Sequence, residues 1–314
     1  MSYSKLTIWF ACLASLALPL TASAQKKPHI IVVTHGQVSD AFWAVVKNGV
    51  QQAAKDANCE VEYRAPEKFD MVAMSQLIDA AVASRPDGLI VSIPDPDALG
   101  KSIQAAEAAK IPVVSMNSGT SVSKKLGCVL HIAQDEEISG RAAGERMKAM
   151  GVKKAVVINP EVGNVALDQR AKGFKEGMGG DVDVLGTTMD FITCRNAVAA
   201  YLQKTPDLDG IMALGSTSGA DPALQALKDA GKLNKVKLAT FDLSPVALQA
   251  LVNKQIEFAI DQQQFFQGYL SVIFMDSYLR WGLLPASNPL LTGPAFVTSE
   301  NAQQVIDLSK KGIR

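Results

Sequence analysis

The chain has 314 residues, and its 31 lysines and arginines are balanced by 31 aspartates and glutamates. That length suits about two domains of ordinary size, and a composition of 48% hydrophobic and 20% charged residues is typical of folded globular proteins rather than disordered ones. The balanced charge argues against nucleic acid as a partner, and three histidines with four cysteines offer little material for a metal site or a disulfide scaffold.

The N-terminal segment has the pattern of an export signal. Lys5 precedes an apolar run from Leu6 to Leu20, and Ala22-Ser23-Ala24 then supplies a small-x-small cleavage site. Because a membrane anchor needs about 20 apolar residues, this run favours a signal peptide over residues 1–24, with export to the periplasm and cleavage after Ala24. The cysteines that remain after cleavage are Cys59, Cys128 and Cys194. Since three is an odd number, at least one thiol is expected to be unpaired or buried.

Beyond residue 28, short apolar runs alternate with helical patterns. The runs predict strands at residues 29–34, 61–64, 88–92, 111–116, 154–159, 182–185, 210–214, 236–241 and 257–261. Apolar residues at helical spacing predict helices at residues 41–57, 71–84, 99–109, 136–150, 165–178, 196–204, 221–230, 244–253 and 264–280. This alternation is typical of parallel sheets whose two faces are covered by helices.

A weak internal repeat divides the pattern into two halves. Lys47-Asn-Gly-Val in the first helix is similar to Ala171-Lys-Gly-Phe in the corresponding helix of the second half. The predicted fold class is therefore α/β, with two similar doubly wound parallel-sheet lobes joined by a hinge that the chain crosses several times. The expected lobes are residues 28–132 plus 264–296 and residues 133–263 plus 297–314. Such sheets bind ligands at the carboxyl ends of their strands, so we expect a ligand cleft between the lobes.

Polar and aromatic side chains are concentrated just after the predicted strands and at the starts of the helices that follow. The polar ones are Asp40, Asn117, Arg170, Asp242 and Gln262, and the aromatic ones are Phe42 and Trp43. Carboxylate, amide and guanidinium groups match hydroxyls that both donate and accept hydrogen bonds, while aromatic rings cover apolar C–H faces. This combination suits a sugar or a polyol.

Each of these residues also has a structural interpretation. Phe42 and Trp43 stand at helical spacing and could pack in the core, and Asp40 could serve as the N-cap of the first helix. Asp242 could cap the helix that follows it, and Arg170 could lie on a solvated helix face.

Five segments, taken in order, carry a family resemblance. They are residues 40–49 (DAFWAVVKNG), 111–118 (IPVVSMNS), 163–174 (GNVALDQRAKGF), 241–242 (FD) and 261–268 (DQQQFFQG). Together they resemble the periplasmic sugar-binding proteins of the ribose-binding type, which are the soluble receptors of ABC importers. Asn117 and Ser118 stand where that family usually has an aspartate followed by a polar residue, so the identity of the sugar does not carry over.

The resemblance implies binding of a monosaccharide or sugar alcohol by hinge closure, and delivery to permease subunits of an ABC transporter in the inner membrane. It implies a monomer without catalysis, cofactor or metal, and it leaves a chemoreceptor open as a second partner. It prefers Gln262 over the neighbouring Gln263 and Gln264, and it adds Asn164 and Ser216 to the expected ligand-binding residues. Pentoses, hexoses, deoxy sugars and polyols all stay open as ligands.

Other function classes have less support in the residues. The segment Gly215-Ser-Thr-Ser-Gly219 has Thr217 where a nucleophile elbow needs serine, and neither a P-loop nor a dinucleotide fingerprint is present. A secreted carbohydrate hydrolase stays open, because the separation of two catalytic carboxylates is a spatial property. A repressor with a related effector domain is disfavoured by the signal peptide and by the lack of a basic helix-turn-helix ahead of residue 28.

Overall fold

The computed structural model describes residues 26–36 and 40–314, so the predicted signal peptide and its cleavage site lie outside the described residues. The strands are β1 His29–Val33, β2 Glu60–Arg64, β3 Gly88–Val91, β4 Val113–Met116, β5 Leu130–Ala133, β6 Lys154–Asn159, β7 Asp181–Gly186, β8 Gly210–Ala213, β9 Lys237–Phe241, β10 Ala259–Asp261, β11 Leu290–Leu291 and β12 Ala295–Val297. The helices are α1 Ala41–Asp56, α2 Met71–Ala83, α3 Pro96–Ala108, α4 Thr120–Ser123, α5 Glu136–Ala149, α6 Val165–Met178, α7 Phe191–Lys204, α8 Asp221–Asp229, α9 Pro245–Val252, α10 Gln264–Trp281 and α11 Ala302–Ser309.

The strands form two six-stranded sheets that are wound alike. Their orders are β11-β5-β4-β3-β1-β2 and β12-β10-β9-β8-β6-β7. The strand pairs are parallel except for β10 with β12, which is antiparallel. In each sheet one strand, β1 or β6, lies between the next two strands of the chain, so the winding reverses there and helices cover both faces. This topology confirms the predicted fold class.

The core of each lobe follows from the apolar runs of its central strands. In β1 the residues from Ile30 to Val33 have no exposed surface, as the continuous apolar run predicts for a strand buried on both faces. Helix starts are set by side-chain caps, and two helices begin earlier than predicted for this reason. Asp190 accepts a hydrogen bond from the Thr193 amide, so α7 begins at Phe191 rather than at residue 196. Asp95 accepts hydrogen bonds from the Asp97 and Ala98 amides, so α3 begins at Pro96 rather than at residue 99, and proline is tolerated in that first turn.

The internal repeat marks the closest helix–helix contact of each lobe. Gly49 of α1 lies against the backbone of Phe265 in α10, and Gly173 of α6 lies against the backbone of Glu137 in α5. A Cβ atom at either glycine would overlap a backbone oxygen of the neighbouring helix, so the close approach requires glycine. The similarity between the two sequence segments therefore has a packing origin.

The chain passes between the two sheets three times, after β5, after β10 and between β11 and β12. Ala133 lies in the first sheet, and the segment from Ala295 to Val297 lies in the second. The first and third crossings therefore differ by one or two residues from the expected boundaries at 132/133 and 296/297. The second crossing lies between β10 and α10, which packs on α1. The expected division of the chain into two lobes stays a prediction.

Five elements were not predicted: β5, β11, β12, α4 and α11. The strands among them have two to four residues, which is too short for a hydrophobic period, and their pairing partners are distant in sequence. The cysteines Cys59, Cys128 and Cys194 are free thiols and are buried. Among the described helices, none combines the length and apolar character needed to cross a bilayer.

Candidate ligand site between the lobes

A cavity lies where the carboxyl ends of the two sheets face each other. Its empty space, counted together with its open mouth, is about 490 Å³. The structure brings all nine residues of the predicted site to its lining. They are Asp40, Phe42, Trp43, Asn117, Asn164, Arg170, Ser216, Asp242 and Gln262.

The start of α1 supplies an acid and two aromatic rings. Asp40 is the N-cap of α1 and its carboxylate accepts a hydrogen bond from the Phe42 amide (2.9 Å). The rings of Phe42 and Trp43 lie edge to face with centroids 5.1 Å apart, and both belong to the core of the first lobe as well as to the cavity lining. Asp40, Phe42 and Trp43 therefore have structural roles, as a helix cap and as core residues, and they also line the cavity.

Amide side chains connect β4 with the crossing between β10 and α10. Asn117 Nδ2 donates to Gln267 Oε1 (3.1 Å), and Gln262 Nε2 donates to Asp242 Oδ1. Asn117 and Asp242 have φ angles of 64° and 67°, a left-handed conformation that asparagine and aspartate adopt more readily than other side chains. Of the three consecutive glutamines only Gln262 lines the cavity. Gln267, which the sequence did not indicate, holds this amide set in position.

Arg170 is buried and is not a solvated helix residue. Its Nε and Nη2 atoms both donate to the carboxylate of Glu136, and Nη1 donates to the Leu214 carbonyl (2.9 Å). Burial alone lowers the pKa of Arg170, but the carboxylates of Glu136, Asp242 and Glu161 together outweigh it and raise the pKa above the usual value. The guanidinium also lies 4.7 Å from the centroid of the Phe241 ring. The arginine fork, expected to hold ligand, is thus largely occupied by Glu136.

Three carboxyl groups line the cavity: Asp40, Glu161 and Asp242. Burial raises the pKa of Asp242 to about 7, although the charge of Arg170 acts in the opposite direction. Burial likewise raises the pKa of Glu161 to about 7. In each of the three, one oxygen accepts a hydrogen bond from the protein, and the other makes none among the described residues. Three oxygens are therefore left for hydroxyl groups of a ligand, and each accepts a hydrogen bond when its carboxyl is ionised and can donate one when it is protonated. The free oxygen of Asp242 also lies 3.9 Å from Arg170 Nη1.

His35 and Glu161 line the cavity but were not among the predicted site residues. His35 stands two residues after β1 and Glu161 two residues after β6, so the signal that could have found them is a polar residue just beyond a buried strand. The imidazole Nδ1 of His35 lies 2.8 Å from Ser92 Oγ. Burial, with a smaller contribution from the charge of Arg170, lowers the pKa of His35 to about 3, so its imidazole is neutral at pH 7.

The two lobes touch along one side of the cavity. The Val165 amide donates to the Pro94 carbonyl (2.9 Å), and Ser118 Oγ donates to Asn164 Oδ1 (3.4 Å). Asn164 is also the N-cap of α6, so its oxygen accepts from the Ala166 amide as well. These contacts join loops that follow β3, β4 and β6, and they hold the lobes in a closed arrangement.

The lining combines hydrogen-bond acceptors, hydroxyl groups and aromatic rings. Ser216 Oγ is buried and makes no hydrogen bond among residues 26–36 and 40–314. Within the same residues, no three histidine, cysteine, aspartate or glutamate side chains are grouped so that they could hold a metal ion. The arrangement can therefore enclose a compact molecule whose surface consists of hydroxyl groups and C–H faces.

Comparisons with known proteins agree with this geometry. A xylose/arabinose-binding protein of Sulfolobus acidocaldarius is 26% identical over 297 residues, covering 90% of this chain and 73% of the relative. A ribose import binding protein of Salmonella typhimurium is 25% identical over 296 residues, covering 92% and 97%. The crystal structure of a carbohydrate transporter from Acidothermus cellulolyticus in complex with myo-inositol is 34% identical, with a TM-score of 0.87 over 92% of this chain and 100% of that chain.

A family model described as a periplasmic binding protein domain matches residues 30–282, which is most of the chain. The resemblance seen in the five sequence segments is therefore confirmed. The match reaches from β1 to the end of α10, and it therefore covers the first two crossings and every residue that lines the cavity. The chain belongs to the periplasmic binding protein family.

Proposed function

We propose that this protein is the periplasmic substrate-binding component of an ABC importer and that it binds a neutral monosaccharide or sugar alcohol between its lobes. The observation that carries the proposal is the lining of the inter-lobe cavity, where three carboxyls, several amides and two aromatic rings converge. Hydroxyl donors of a polyol match the free carboxylate oxygens, and the rings of Phe42 and Trp43 cover its C–H faces. Relatives named for xylose, arabinose and ribose, and a neighbour solved with myo-inositol, support the same ligand class.

The mechanism follows from the hinge. We take the moving lobes to be the two expected units, residues 28–132 plus 264–296 and residues 133–263 plus 297–314. Ala133 is counted with the first lobe and residues 295–296 with the second, because they pair with strands of those sheets. A ligand that contacts both lobes binds the closed form more tightly than the open one, so it shifts the population towards closure. The closed shape is then the form that the permease subunits recognise.

The remaining features of the proposal concern location and partners. The N-terminal pattern supports export with cleavage after Ala24, and the family is one of periplasmic binding proteins. The protein acts as a monomer and returns its ligand unchanged, without catalysis, and a chemoreceptor stays open as a second partner. Specificity comes from buried polar groups, because an unmatched one costs about 1–3 kcal/mol.

A thermal-shift screen of the mature chain against neutral pentoses, hexoses, alditols and cyclitols, followed by calorimetry, tests the proposal. We expect at least one neutral member to raise the melting temperature, and to raise it further with the logarithm of its concentration above the dissociation constant, because ligand stabilises the form that binds it. Chromatography of the released ligand should recover it intact. A panel without any stabilising member, or a ligand recovered as cleavage products, would overturn the proposal.

A further inference from the structure

Glu161 lies in the loop between β6 and α6, and its position is tightly defined. Its amide donates to Asn159 Oδ1 (3.0 Å), and its carboxylate oxygen Oε2 accepts from Asn164 Nδ2 (2.6 Å). The same oxygen lies 3.7 Å from Nε2 of His35, which belongs to the opposite lobe. The second oxygen, Oε1, makes no hydrogen bond among the described residues and belongs to a side chain that lines the cavity. One carboxyl group therefore faces both the other lobe and the ligand space.

The loop that carries Glu161 leads directly into residues of the second lobe that contact the first. The Val165 amide donates to the Pro94 carbonyl, and Asn164 accepts from Ser118. Because Asn164 also donates to Glu161, the position of the carboxylate is linked to the same inter-lobe contacts. Opening the cavity would break these hydrogen bonds and separate Glu161 from His35.

The charges around Glu161 leave it without a strong cationic partner. The charged groups that act on the pKa of Glu161 are Asp40, Asp242 and Arg170. The two aspartates carry the same charge as Glu161, and the guanidinium of Arg170 is already hydrogen-bonded to Glu136. His35 is neutral at pH 7, so its approach to Glu161 is not a full ion pair. A neutral hydroxyl donor is the partner that satisfies the free oxygen without adding a charge to the cavity.

We propose that Glu161 and His35 form a closure pair, in which Glu161 secures the closed lobes and at the same time accepts a hydrogen bond from a hydroxyl of the ligand. This inference rests on the proposed ligand site and assigns one of its residues a role in retention. Capture occurs in the open form, where the two side chains are apart, so the association rate should not depend on them. Release requires reopening of the closed form, so the dissociation rate should depend on both side chains.

Stopped-flow fluorescence provides the test, because the indole of Trp43 lines the cavity and reports on binding. The probe is the neutral panel member with the largest thermal shift, and the proteins are wild type, Glu161→Gln, His35→Gln and the double variant. Glu300→Gln is the matched control, since it removes an exposed carboxyl from a turn. We expect Glu161→Gln to raise the dissociation rate about 10-fold or more, which corresponds to about 1.4 kcal/mol or more, with an association rate within threefold of wild type.

The double variant separates a direct pair from two independent effects. If the side chains act together, the double variant should dissociate about as fast as Glu161→Gln alone rather than at the product of the two single effects. Ligand-free melting temperatures check that each variant is folded. A dissociation rate of Glu161→Gln within threefold of wild type, or fully multiplicative single effects, overturns the closure pair while leaving the proposed function intact. If no panel member binds wild type, the proposed function and this inference both fail.

Discussion

Arg170 reaches the carboxylate of Glu136 through two hydrogen bonds at a depth where only 2% of its surface is exposed. Removing the guanidinium leaves Glu136 buried without its partner, and breaking a buried ion pair in this way costs about 3–5 kcal/mol. We expect Arg170→Ala to lower the free energy of unfolding by about that amount and to weaken ligand binding. Urea denaturation and calorimetry measure the two effects.

Two further variants separate the stability effect from the binding effect. Arg195→Ala is the control, because Arg195 pairs with Asp229 at the surface, where such pairs contribute about 0–1 kcal/mol. Replacing the buried pair together, as Arg170→Met with Glu136→Leu, should recover most of the stability, since an apolar pair of similar volume is often neutral. Binding should stay weak in that double variant. An Arg170→Ala protein as stable as wild type would contradict the structural role.

Asp221 provides a pH-dependent stability effect away from the cavity lining. It lies in the first turn of α8 and accepts a hydrogen bond from Ser244 Oγ (2.8 Å), and burial raises its pKa from 3.8 to about 6. A carboxyl whose pKa is raised in the folded state contributes stability below its unfolded pKa, and that contribution is lost as the pH rises towards 6. Asp221→Asn removes the titration and keeps an acceptor oxygen for Ser244.

We therefore expect the stability of Asp221→Asn relative to wild type to increase between about pH 4 and pH 6 and then to stay constant. The gain is on the order of 3 kcal/mol, because the pKa of Asp221 rises from 3.8 to about 6 and one pKa unit corresponds to about 1.4 kcal/mol. Chemical denaturation at several pH values measures it. Parallel pH profiles for the two proteins would show that Asp221 does not titrate as the structure indicates.

The sequence was informative about site residues that stand directly after a strand or at the start of the following helix, and it was poor at finding the residues that hold them in position. Asp40, Asn117 and Asp242 could be recognised because the topology brings the ends of parallel strands together. Glu136 could not, because its partner Arg170 is 34 residues away and only the packing of two helices joins them. Ligand roles for the nine lining residues stay predictions that binding measurements have to test.

At the scale of elements, long apolar and amphipathic segments were predictable and short edge elements were not. The predicted range 165–178 agrees with α6, and 154–159 agrees with β6, because buried runs and helical periods are local signals. β11 has two residues and pairs with β5 across the length of α5 to α10, so its existence depends on tertiary structure. Likewise β12 pairs antiparallel with β10 only because the chain returns to the second sheet.

The contact between α5 and α6 is an element-scale feature that a single substitution can test. Gly140 of α5 lies so close to α6 that a Cβ atom would overlap the backbone oxygen of Arg170. In an isolated helix, glycine to alanine is stabilising by up to about 1 kcal/mol, whereas overpacking of a core contact typically costs about 1–3 kcal/mol. We expect Gly140→Ala to lower the melting temperature and also to weaken binding, because the helices would move apart beneath Arg170.

Glu145→Ala is the matched substitution on the exposed side of the same helix. It should change stability by no more than about 0.5 kcal/mol, as surface substitutions usually do. Thermal denaturation followed by circular dichroism compares the two variants. A higher melting temperature for Gly140→Ala than for wild type would mean that helix propensity outweighs the packing and that the close approach does not hold.

At the scale of the whole molecule, each lobe has its own core, and the two are joined by three crossings and a few contacts across the cavity mouth. The mouth contacts are hydrogen bonds, such as that from the Val165 amide to the Pro94 carbonyl. Two bodies joined in this way can rotate about their crossings at small energetic cost. A ligand held between them adds contacts to both bodies at once.

Scanning calorimetry tests this coupling. A ligand at 100 times its dissociation constant stabilises the form that binds it by about 2.7 kcal/mol. Because the proposed ligand contacts both lobes, we expect the entire unfolding transition to move to higher temperature as a single peak. Asp242→Ala at the same ligand concentration should show a much smaller shift, since it removes an acceptor from the cavity. A profile in which only one of two resolved peaks moves would mean that the ligand is held by one lobe, and it would contradict binding between the lobes.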